Sequence, residues 1–245
     1  TDTLPDIQMH FNGQCFPLYL YDEPSVGTEQ GGLFDEAPSG RKRRDAITEA
    51  GLAHFRAAYP GEKIGREDIF YYIYGLLHSP DYRERYGDNL SKELPRIPCV
   101  KKASDFWAFS KAGRELAELH IGYEKVAPCP RIAVTVAAGA PDNQEKLYRV
   151  EKMRYGKTKD TLAYNAWITL SNIPLDAYDY VVNGKAALDW VVERQCVKTD
   201  KDSGIESDAN RWATETVGDP RYPLDLFLRV ATVSLETNRI VAGLP

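Results

Sequence analysis

The sequence predicts an α+β fold in which a mostly helical amino-terminal half packs on a mixed or antiparallel sheet that begins near residue 130. Two observations indicate this fold. Before residue 125 the apolar residues recur at the 3.6-residue period of amphipathic helices, whereas beyond residue 130 short β-branched and aromatic runs alternate with turn-forming residues. The 245-residue chain is 43% hydrophobic and 27% charged, which is ordinary globular composition, so it can bury a core.

The first 45 residues are predicted to form a strand and a long loop. Residues 16–21 are apolar and aromatic, which favours a strand, whereas residues 24–40 are rich in Gly, Ser and Pro. This loop is the segment that we expect to be disordered. The chain begins without methionine, and its first residues have the composition of a loop, so we expect a fragment of a longer polypeptide.

Three helices are predicted to follow in succession. Apolar residues at helical spacing indicate the first over 47–59 and the second over 66–78. Ser79 then supplies an N-cap and Pro80 occupies the first helical position, so we expect a sharp turn and a third helix over 80–93.

A fourth helix is predicted to begin at Ser104, whose hydroxyl can cap it. Its apolar face would carry Phe106, Phe109, Leu116, Leu119 and His120. Prolines at positions 128 and 130 break the pattern, so the helix must end before them.

Beyond Arg131 the apolar period changes to that of strands. Strands are predicted over residues 132–136, 147–153 and 162–170. A turn at 156–160 joins the second strand to the third. Helical spacing returns over 186–194 and again over 223–241, which we predict to be a long closing helix.

Charge is distributed unevenly along the chain. The net charge of −5 by itself argues against a nucleic-acid partner, because phosphate neutralisation requires Lys and Arg. Residues 146–159 nevertheless form a basic stretch with a single carboxylate, Glu151. Its six basic residues are Lys146, Arg149, Lys152, Arg154, Lys157 and Lys159. A second, unbroken basic run consists of Arg41, Lys42, Arg43 and Arg44. One basic face with acidic flanks would bind DNA in a fixed orientation.

The short motifs of common enzymes are absent from the sequence. It contains no GxxxxGK[ST], GxGxxG, HExxH or GxSxG, and no NPPY-type tetrapeptide of amino-methyltransferases. No lysine has Asp or Glu two residues before it, as a PD…(D/E)xK nuclease requires. We therefore expect no catalytic residues in this chain.

The cysteines and histidines also lack a functional spacing. Cys15, Cys99, Cys129 and Cys196 form no CxxC pair, which predicts free thiols in a reducing, cytoplasmic compartment. The histidines are not spaced as metal ligands, so no metal site is expected. No stretch approaches the roughly 18 apolar residues that a membrane span requires, so we expect no membrane partner.

Two long runs resemble the carboxy-terminal specificity region of Type ISP restriction-modification enzymes. The first is DIFYYIYGLLHSPDYRERY at 68–86 with LPRIP at 94–98; the second is YDYVVNGK at 178–185, LDWV at 188–191 and VKTDKDSGI at 197–205. DPRY at 219–222 and the closing helix fit as well. The resemblance covers about residues 45–245. We interpret the first run as mainly structural, with direct DNA contact as the alternative.

The resemblance implies a parent polypeptide with a nuclease, a helicase-like ATPase motor, a coupling region, an adenine methyltransferase and, last, this recognition domain. It implies a target-recognition-domain-like fold over residues 46–245, with a helical part over 46–125 and a sheet-bearing part over 130–245. Residues 1–45 would link to the upstream methyltransferase domain. The parent would use S-adenosylmethionine, ATP and Mg²⁺, whereas this fragment needs no cofactor and is not expected to be an enzyme.

The basic stretches supply the candidate contacts to double-stranded DNA. The first set is Lys152, Arg154, Tyr155, Lys157 and Lys159, because a strand and a loop tip can enter the major groove. A solvated basic hairpin is the alternative. For Arg41, Lys42, Arg43 and Arg44 we expect phosphate or methyltransferase contact, against an exposed flexible run. Asn165 is added as a possible reader of adenine.

Three functions stay open at this point. The first is sequence-specific recognition of double-stranded DNA, which would direct adenine methylation, translocation and cleavage by the upstream domains. The second is an intramolecular docking domain for the methyltransferase and motor with little DNA affinity of its own, which the acidic balance favours. The third, an independent small-molecule enzyme, lacks a catalytic constellation.

Overall fold

The computed structural model describes residues 16–21, 43–90 and 92–245. The chain divides into two compact units: a helical unit of residues 1–114 and 244–245, and a sheet unit of residues 115–243. The predicted loop over 24–40 lies outside the described residues. The domain boundaries at residues 45 and 130, which the family resemblance implies, stay predictions.

The described chain up to residue 121 is mainly helical. Its elements are β1 (Tyr19–Tyr21), β2 (Arg43–Asp45), α1 (Glu49–Ala58), α2 (Arg66–His78), α3 (Pro80–Leu90) and α4 (Ala103–Ile121). The two strands pair antiparallel. The four predicted helices and the strand predicted within 16–21 are thereby confirmed, although α3 ends three residues earlier than expected.

Ser79 separates α2 from α3, as the sequence predicts. Its N–H donates to the carbonyl of Leu76 at 3.0 Å and closes α2. Its hydroxyl accepts from the N–H of Tyr82 at 3.4 Å, and its carbonyl accepts from that of Arg83 at 3.0 Å, so the same residue opens α3. The following proline suits the first helical position because that N–H would have no partner.

The start of α4 differs from the prediction. The helix begins at Ala103, and the carbonyl of Lys102 accepts from the N–H groups of Asp105 and Phe106. The hydroxyl of Ser104 instead donates to the Asp105 carboxylate at 3.1 Å. The prediction that Ser104 caps this helix is therefore wrong, because the helix begins at Ala103 and Ser104 lies within its first turn.

An aromatic cluster forms the core of the helical unit. Tyr72 of α2 is fully buried and stacks on Phe106 of α4, with ring centroids 4.8 Å apart, while Phe55 and Phe109 meet its ring at steep angles. Its hydroxyl donates to the carbonyl of Pro98 at 2.6 Å, and burial raises its pKa. At Tyr72, the signature run is structural, as the sequence analysis expects.

Helices α2 and α4 approach so closely that glycine is required on both. A Cβ at Gly113 would lie 1.8 Å from the carbonyl oxygen of Tyr71, and one at Gly75 would lie 2.2 Å from that of Phe109. Both obstacles are backbone atoms, which cannot move away as a flexible side chain can. The close contact therefore depends on the absence of a side chain at these two positions.

The sheet unit contains many short elements. Beyond the end of α4 they are β3 (Ala133–Val136), α5 (Gln144–Tyr148), β4 (Arg154–Tyr155), β5 (Leu162–Ala163), β6 (Ile168–Ser171), a 3₁₀ turn (Leu175–Tyr178), β7 (Val181–Val182), β8 (Lys185–Ala186), α6 (Ala187–Arg194), β9 (Val197–Thr199), β10 (Glu206–Asp208), α7 (Ala209–Trp212), a π-helical turn (Ala213–Val217) and α8 (Tyr222–Ala242). The two helices predicted in this half correspond to α6 and α8.

One four-stranded antiparallel sheet organises the unit, in the order β3-β6-β5-β4. Leu162 and Leu170 face each other across β5 and β6 and belong to the same buried cluster as Leu224 and Phe227 of α8. On the opposite face, neighbouring strands place side by side four exposed residues: Arg154, Ala163, Thr169 and Thr135. The sheet is thus covered on one face and open to solvent on the other, with Arg154 on an edge strand.

The strand predicted over 147–153 is absent. Asn143 caps the short helix α5 by accepting from the N–H of Lys146 at 2.9 Å, so residue 147 is helical. The chain after α5 has no neighbouring strand at Val150; instead the side chain of Asn210 accepts from its N–H at 2.8 Å and donates to its carbonyl at 2.9 Å. One amide replaces the strand partner that the pattern implied.

The single strand predicted over 162–170 is a hairpin. Strands β5 and β6 are antiparallel neighbours, and the N–H of Tyr164 donates to the carbonyl of Ile168 across the turn. Alternation of apolar residues continues through the turn, so the pattern by itself does not reveal where the chain reverses.

We expect Gly113→Ala to destabilise the chain by about 1–3 kcal/mol, the usual cost of forcing volume into a packed contact. The matched control is Gly87→Ala in α3, where nothing lies within 4 Å of the added Cβ. Because alanine favours helix, the control should stabilise by up to about 1 kcal/mol. Urea unfolding followed by circular dichroism measures both variants, and equal stabilities would contradict the close contact.

We expect Asn210→Ala to cost about 2 kcal/mol, because the buried N–H and carbonyl of Val150 would lose their partners. Asn143→Ala, which removes one exposed capping bond, should cost only about 0.5–1 kcal/mol. Denaturant midpoints of the two variants give the comparison. A smaller loss for Asn210→Ala than for Asn143→Ala would show that Val150 is satisfied in another way.

Candidate nucleic-acid interface

The basic stretch between residues 146 and 159 lies on three consecutive elements of the sheet unit. It starts in α5, continues through the extended segment held by Asn210, and ends in β4 and the turn that leads to β5. The predicted turn at 156–160 is present, and the N–H of Gly156 donates to the carbonyl of Thr161 at 3.0 Å. Some of the basic side chains in this stretch form ion pairs within the fold, and others do not.

Lys159 is neutralised inside the unit. Its Nζ lies 2.8 and 3.0 Å from the carboxylate oxygens of Asp189 on α6. The rings of Tyr155 and Tyr178 lie around the same ammonium group, with centroids 5.2 and 4.9 Å from it. The hydroxyl of Tyr178 also donates to the Lys159 carbonyl at 2.8 Å. These contacts attach the turn to α6.

Tyr155 belongs to the same network. Its hydroxyl donates to Asp189 at 2.8 Å, and its side chain is half-buried. Burial, followed by the neighbouring Tyr178 hydroxyl and the Asp189 carboxylate, raises the pKa of Tyr155, so the hydroxyl stays a donor. These contacts assign Tyr155 and Lys159 to the support of the turn, and direct contact of either residue with DNA stays a prediction.

Lys152, Arg154 and Lys157 are exposed. Over the described ranges of the chain, no carboxylate lies within ion-pair distance of any of the three. Arg154 projects from the open face of the edge strand β4, and Lys157 lies in the turn beyond it. These three cations keep their charge available for an anionic partner.

Two of these cations, Lys152 and Arg154, line a groove of about 560 Å³. Its lining consists of Lys146, Arg149, Glu151, Lys152, Arg154, Ala163, Asn165, Ala166 and Trp167. Glu151 is engaged by Arg149, whose Nε lies 2.7 Å away, and a further guanidinium nitrogen lies 3.1 Å from Asp208. The groove is therefore basic, although the chain as a whole is acidic.

Asn165 is fully engaged within the fold. Its Oδ1 accepts from the N–H groups of Trp167 and Ile168, each at 2.8 Å. Its Nδ2 donates to the carbonyls of Leu147 and Arg149 at 2.8 and 2.9 Å. Reading adenine would require the same amide groups. We therefore remove Asn165 from the proposed base contacts.

Trp167 is a site residue that the sequence analysis missed. The strand pattern placed it inside a continuous strand, whereas the structure places it at the end of the β5–β6 turn with 37% of its surface exposed. No local signal distinguishes the two positions, because the reversal at Asn165 depends on contacts with α5 and the segment after it.

Part of the second basic run lies in the helical unit, on β2. The guanidinium of Arg43 lies over the ring of Tyr19, 4.2 Å from its centroid, and the Tyr19 hydroxyl donates to Glu67 at 2.6 Å. Arg44 lies on the same strand and is exposed. Arg41 and Lys42 lie outside the described residues. Contact of this run with phosphate or with a methyltransferase stays a prediction.

No candidate metal or membrane feature accompanies the basic groove. Among the residues that the structure describes, no three His, Cys, Asp or Glu side chains are grouped to hold a metal ion. Cys99, Cys129 and Cys196 are free thiols, and Cys15 lies outside the described part. Likewise, no described helix combines the length and apolar character needed to cross a bilayer.

Comparison with known families identifies a matching family model. The family model described as the Type ISP C-terminal specificity domain matches residues 1–226. No curated protein matches the chain.

Solved structures with the same fold belong to much longer polypeptides. The ATP-dependent Type ISP restriction-modification enzyme LlaBIII bound to DNA is 37% identical, with a TM-score of 0.76 over 94% of this chain and 14% of that one. A nuclease-deletion mutant of the Type ISP enzyme LlaGI, in complex with a DNA substrate mimic, is 41% identical with a TM-score of 0.65, over 75% of this chain and 16% of that one. A DrdV–DNA complex is 37% identical with a TM-score of 0.67, over 84% and 20%.

We expect Asp189→Asn to lower stability by about 1–2 kcal/mol, because Lys159 and Tyr155 both lose a charged acceptor. Asp176→Asn is the matched control: that carboxylate is 57% exposed and lies 3.7 Å from Arg131, so the loss should stay within about 0.5 kcal/mol. Thermal unfolding measures both. In addition, trypsin should cut after Lys157 faster in Asp189→Asn than in the control, and equal cleavage rates would show that Asp189 does not hold the turn.

Proposed function

The chain belongs to the family of Type ISP C-terminal specificity domains, and from this membership we propose that it recognises a specific sequence of double-stranded DNA. The observation that carries the proposal is the exposed set of Lys152, Arg154 and Lys157, which have no ion-pair partner in the described structure. The presence of DNA or a DNA mimic in the three solved relatives supports the same partner for this chain.

The geometry suggests how contact is made. A narrow element such as an edge strand with its turn fits the major groove, where bases present their hydrogen-bonding edges. Arg154 can donate two hydrogen bonds to guanine or to a phosphate, and Lys157 at the turn can reach a phosphate. The Asp189 network holds this turn in one conformation, which lowers the entropy lost on binding.

Acidic groups elsewhere in the sheet unit restrict the orientation of the DNA. The hairpin β9–β10 carries Asp200, Asp202 and Glu206, all exposed, against the two exposed cations Lys198 and Lys201. Repulsion of phosphate by the three carboxylates disfavours any arrangement in which the duplex lies across that hairpin. A basic groove on an acidic chain therefore favours one orientation of the bound DNA, at the expense of overall affinity for DNA.

We further propose that the chain is the non-catalytic recognition part of a cytoplasmic enzyme. It spans 14–20% of the length of the solved enzymes that it matches. The upstream methyltransferase domain of the same polypeptide would be its second partner, and the sequence read here would direct adenine methylation, translocation and cleavage. S-adenosylmethionine, ATP and Mg²⁺ would serve those domains, with no cofactor bound by this one.

A docking role for the methyltransferase and motor is the second candidate. All four residues of the edge strand β3 are exposed. Two of them, Val134 and Val136, are apolar and lie on the same face of the sheet as buried residues of β6. An open edge with apolar side chains is a common site for protein contact. On this hypothesis the isolated chain would bind DNA weakly.

Selection from a randomised duplex pool at low and physiological salt distinguishes the two candidates. We expect the chain to enrich one short motif, and the variant Lys152→Ala/Arg154→Ala/Lys157→Ala to lose this enrichment. The matched control Lys125→Ala/Lys201→Ala/Arg211→Ala removes the same charge from exposed positions outside the groove, so it should keep the motif. The first variant should also lower the salt dependence of binding by about one unit for each phosphate that the protein no longer neutralises.

Two results would contradict sequence recognition by the chain. Enrichment of no motif at either salt concentration would favour docking, and selection would then be repeated with the methyltransferase joined to this chain. Equal losses in both triple variants would show that binding follows net charge and not the cations beside the groove.

A further inference from the structure

We propose that the basic groove holds one sugar–phosphate strand of the DNA, with Trp167 as the platform against which a deoxyribose packs. The inference rests on the proposed function and specifies which part of the DNA occupies this surface. The turn at 156–160 would then be left to approach the bases, so that positioning and reading are carried out by different residues.

Charge in the groove matches a phosphate strand. Lys146, Lys152 and Arg154 line it, are exposed, and have no ion-pair partner in the described parts of the chain. The carboxylate among the lining residues, Glu151, is engaged by Arg149. An anion entering the groove therefore meets several cations and one carboxylate, which is ion-paired with Arg149.

Trp167 is held in place by its backbone and leaves its indole available. Its N–H donates to Asn165, and its carbonyl accepts from the N–H of Ala137 at 2.8 Å. Ala163 and Ala166 are small, so the groove beside the indole stays open. The indole nitrogen has no acceptor among the described residues, in contrast to Trp107 and Trp190, which donate to Glu62 and to the Val182 carbonyl.

Most of the hydrogen-bonding side chains that line the groove are donors. Lysine, arginine and indole groups only donate, the Asn165 amide is occupied, and Glu151 is paired. Phosphate oxygens only accept, whereas each base pair presents a donor as well as acceptors in the major groove. An indole beside cations also matches a nucleotide backbone, because its ring suits the sugar and its N–H suits a phosphate oxygen.

Shape favours the backbone over the bases. Bases lie at the floor of the DNA grooves, so protruding protein elements reach them. The sugar–phosphate strand is the ridge between those grooves, and a ridge fits a concave surface such as this groove. A guanine edge, which also presents acceptors alone, would have to be reached by a projecting side chain.

The first test compares conservative and severe changes at Trp167 with a matched tryptophan. We expect Trp167→Ala to enrich the same DNA motif as the unaltered chain but to bind it roughly tenfold more weakly, which corresponds to about 1.4 kcal/mol. Trp167→Phe should lose less, because a ring remains while the N–H is removed. Trp212→Phe is the control, since Trp212 is 46% exposed and lies outside the groove. Its affinity should be unchanged, and circular dichroism verifies that all variants are folded.

The second test locates the phosphates. Single phosphates of the enriched duplex are replaced by neutral methylphosphonates, and we expect loss of affinity along a short run on one strand. The variant Lys146→Gln/Lys152→Gln should be insensitive to the same replacements, because each change removes one side of the same interactions. The control Lys125→Gln/Lys201→Gln should keep the sensitivity of the unaltered chain.

Several outcomes would overturn the inference. A changed DNA motif in Trp167→Ala would make Trp167 a base-reading residue. If the affinity losses from the lysine changes and from the methylphosphonates were additive, the lysines would not contact those phosphates. If the unaltered chain enriches no motif, the proposed function fails independently. The groove is then tested on a non-specific duplex, where phosphate sensitivity removed by Lys146→Gln/Lys152→Gln supports the inference and its absence overturns it.

Discussion

The carboxamide of Asn165 is the interaction on which the candidate interface depends. Its oxygen closes the β5–β6 turn through the N–H groups of Trp167 and Ile168, and its nitrogen joins that turn to the carbonyls of Leu147 and Arg149. One side chain therefore connects the end of α5, the segment after it and the hairpin. These are the elements that carry the cations and the tryptophan of the groove, so their separation is set at this residue.

Two other polar side chains extend the same arrangement. Asn210 provides the partner for the backbone of Val150, and Asp189 holds the turn after β4 through Lys159 and Tyr155. The strands concerned contain only two to four residues, too few to define a surface by ladder hydrogen bonds alone. Hydrogen bonds from side chains to the backbone replace the ladder of hydrogen bonds between strands. They leave Lys152 and Arg154 exposed to solvent, although the chain as a whole is acidic.

Features that depend on neighbouring residues could be predicted from the sequence. The boundary at Ser79 follows from a hydroxyl and a proline in consecutive positions, and α8 follows from a long apolar period. The Ser104 cap was wrong because the helix begins at Ala103 and the Lys102 carbonyl accepts its first hydrogen bonds, so Ser104 lies inside the first turn. The two errors in the sheet, at 147–153 and at 162–170, arose where an extended pattern does not specify a strand partner or a reversal.

The sequence by itself determined the α+β class, the order of the six longer helices, the resemblance to the Type ISP specificity region and the presence of a basic stretch in an acidic chain. Only the tertiary structure decided which cations are available. Lys159 pairs with Asp189, 30 positions away, and Arg149 is shared between Glu151 and Asp208, the second of which lies 59 positions away. Such pairs are formed by chain segments that meet only after folding, so no local period or spacing predicts them. The surface left open to an anion is therefore a property of the fold.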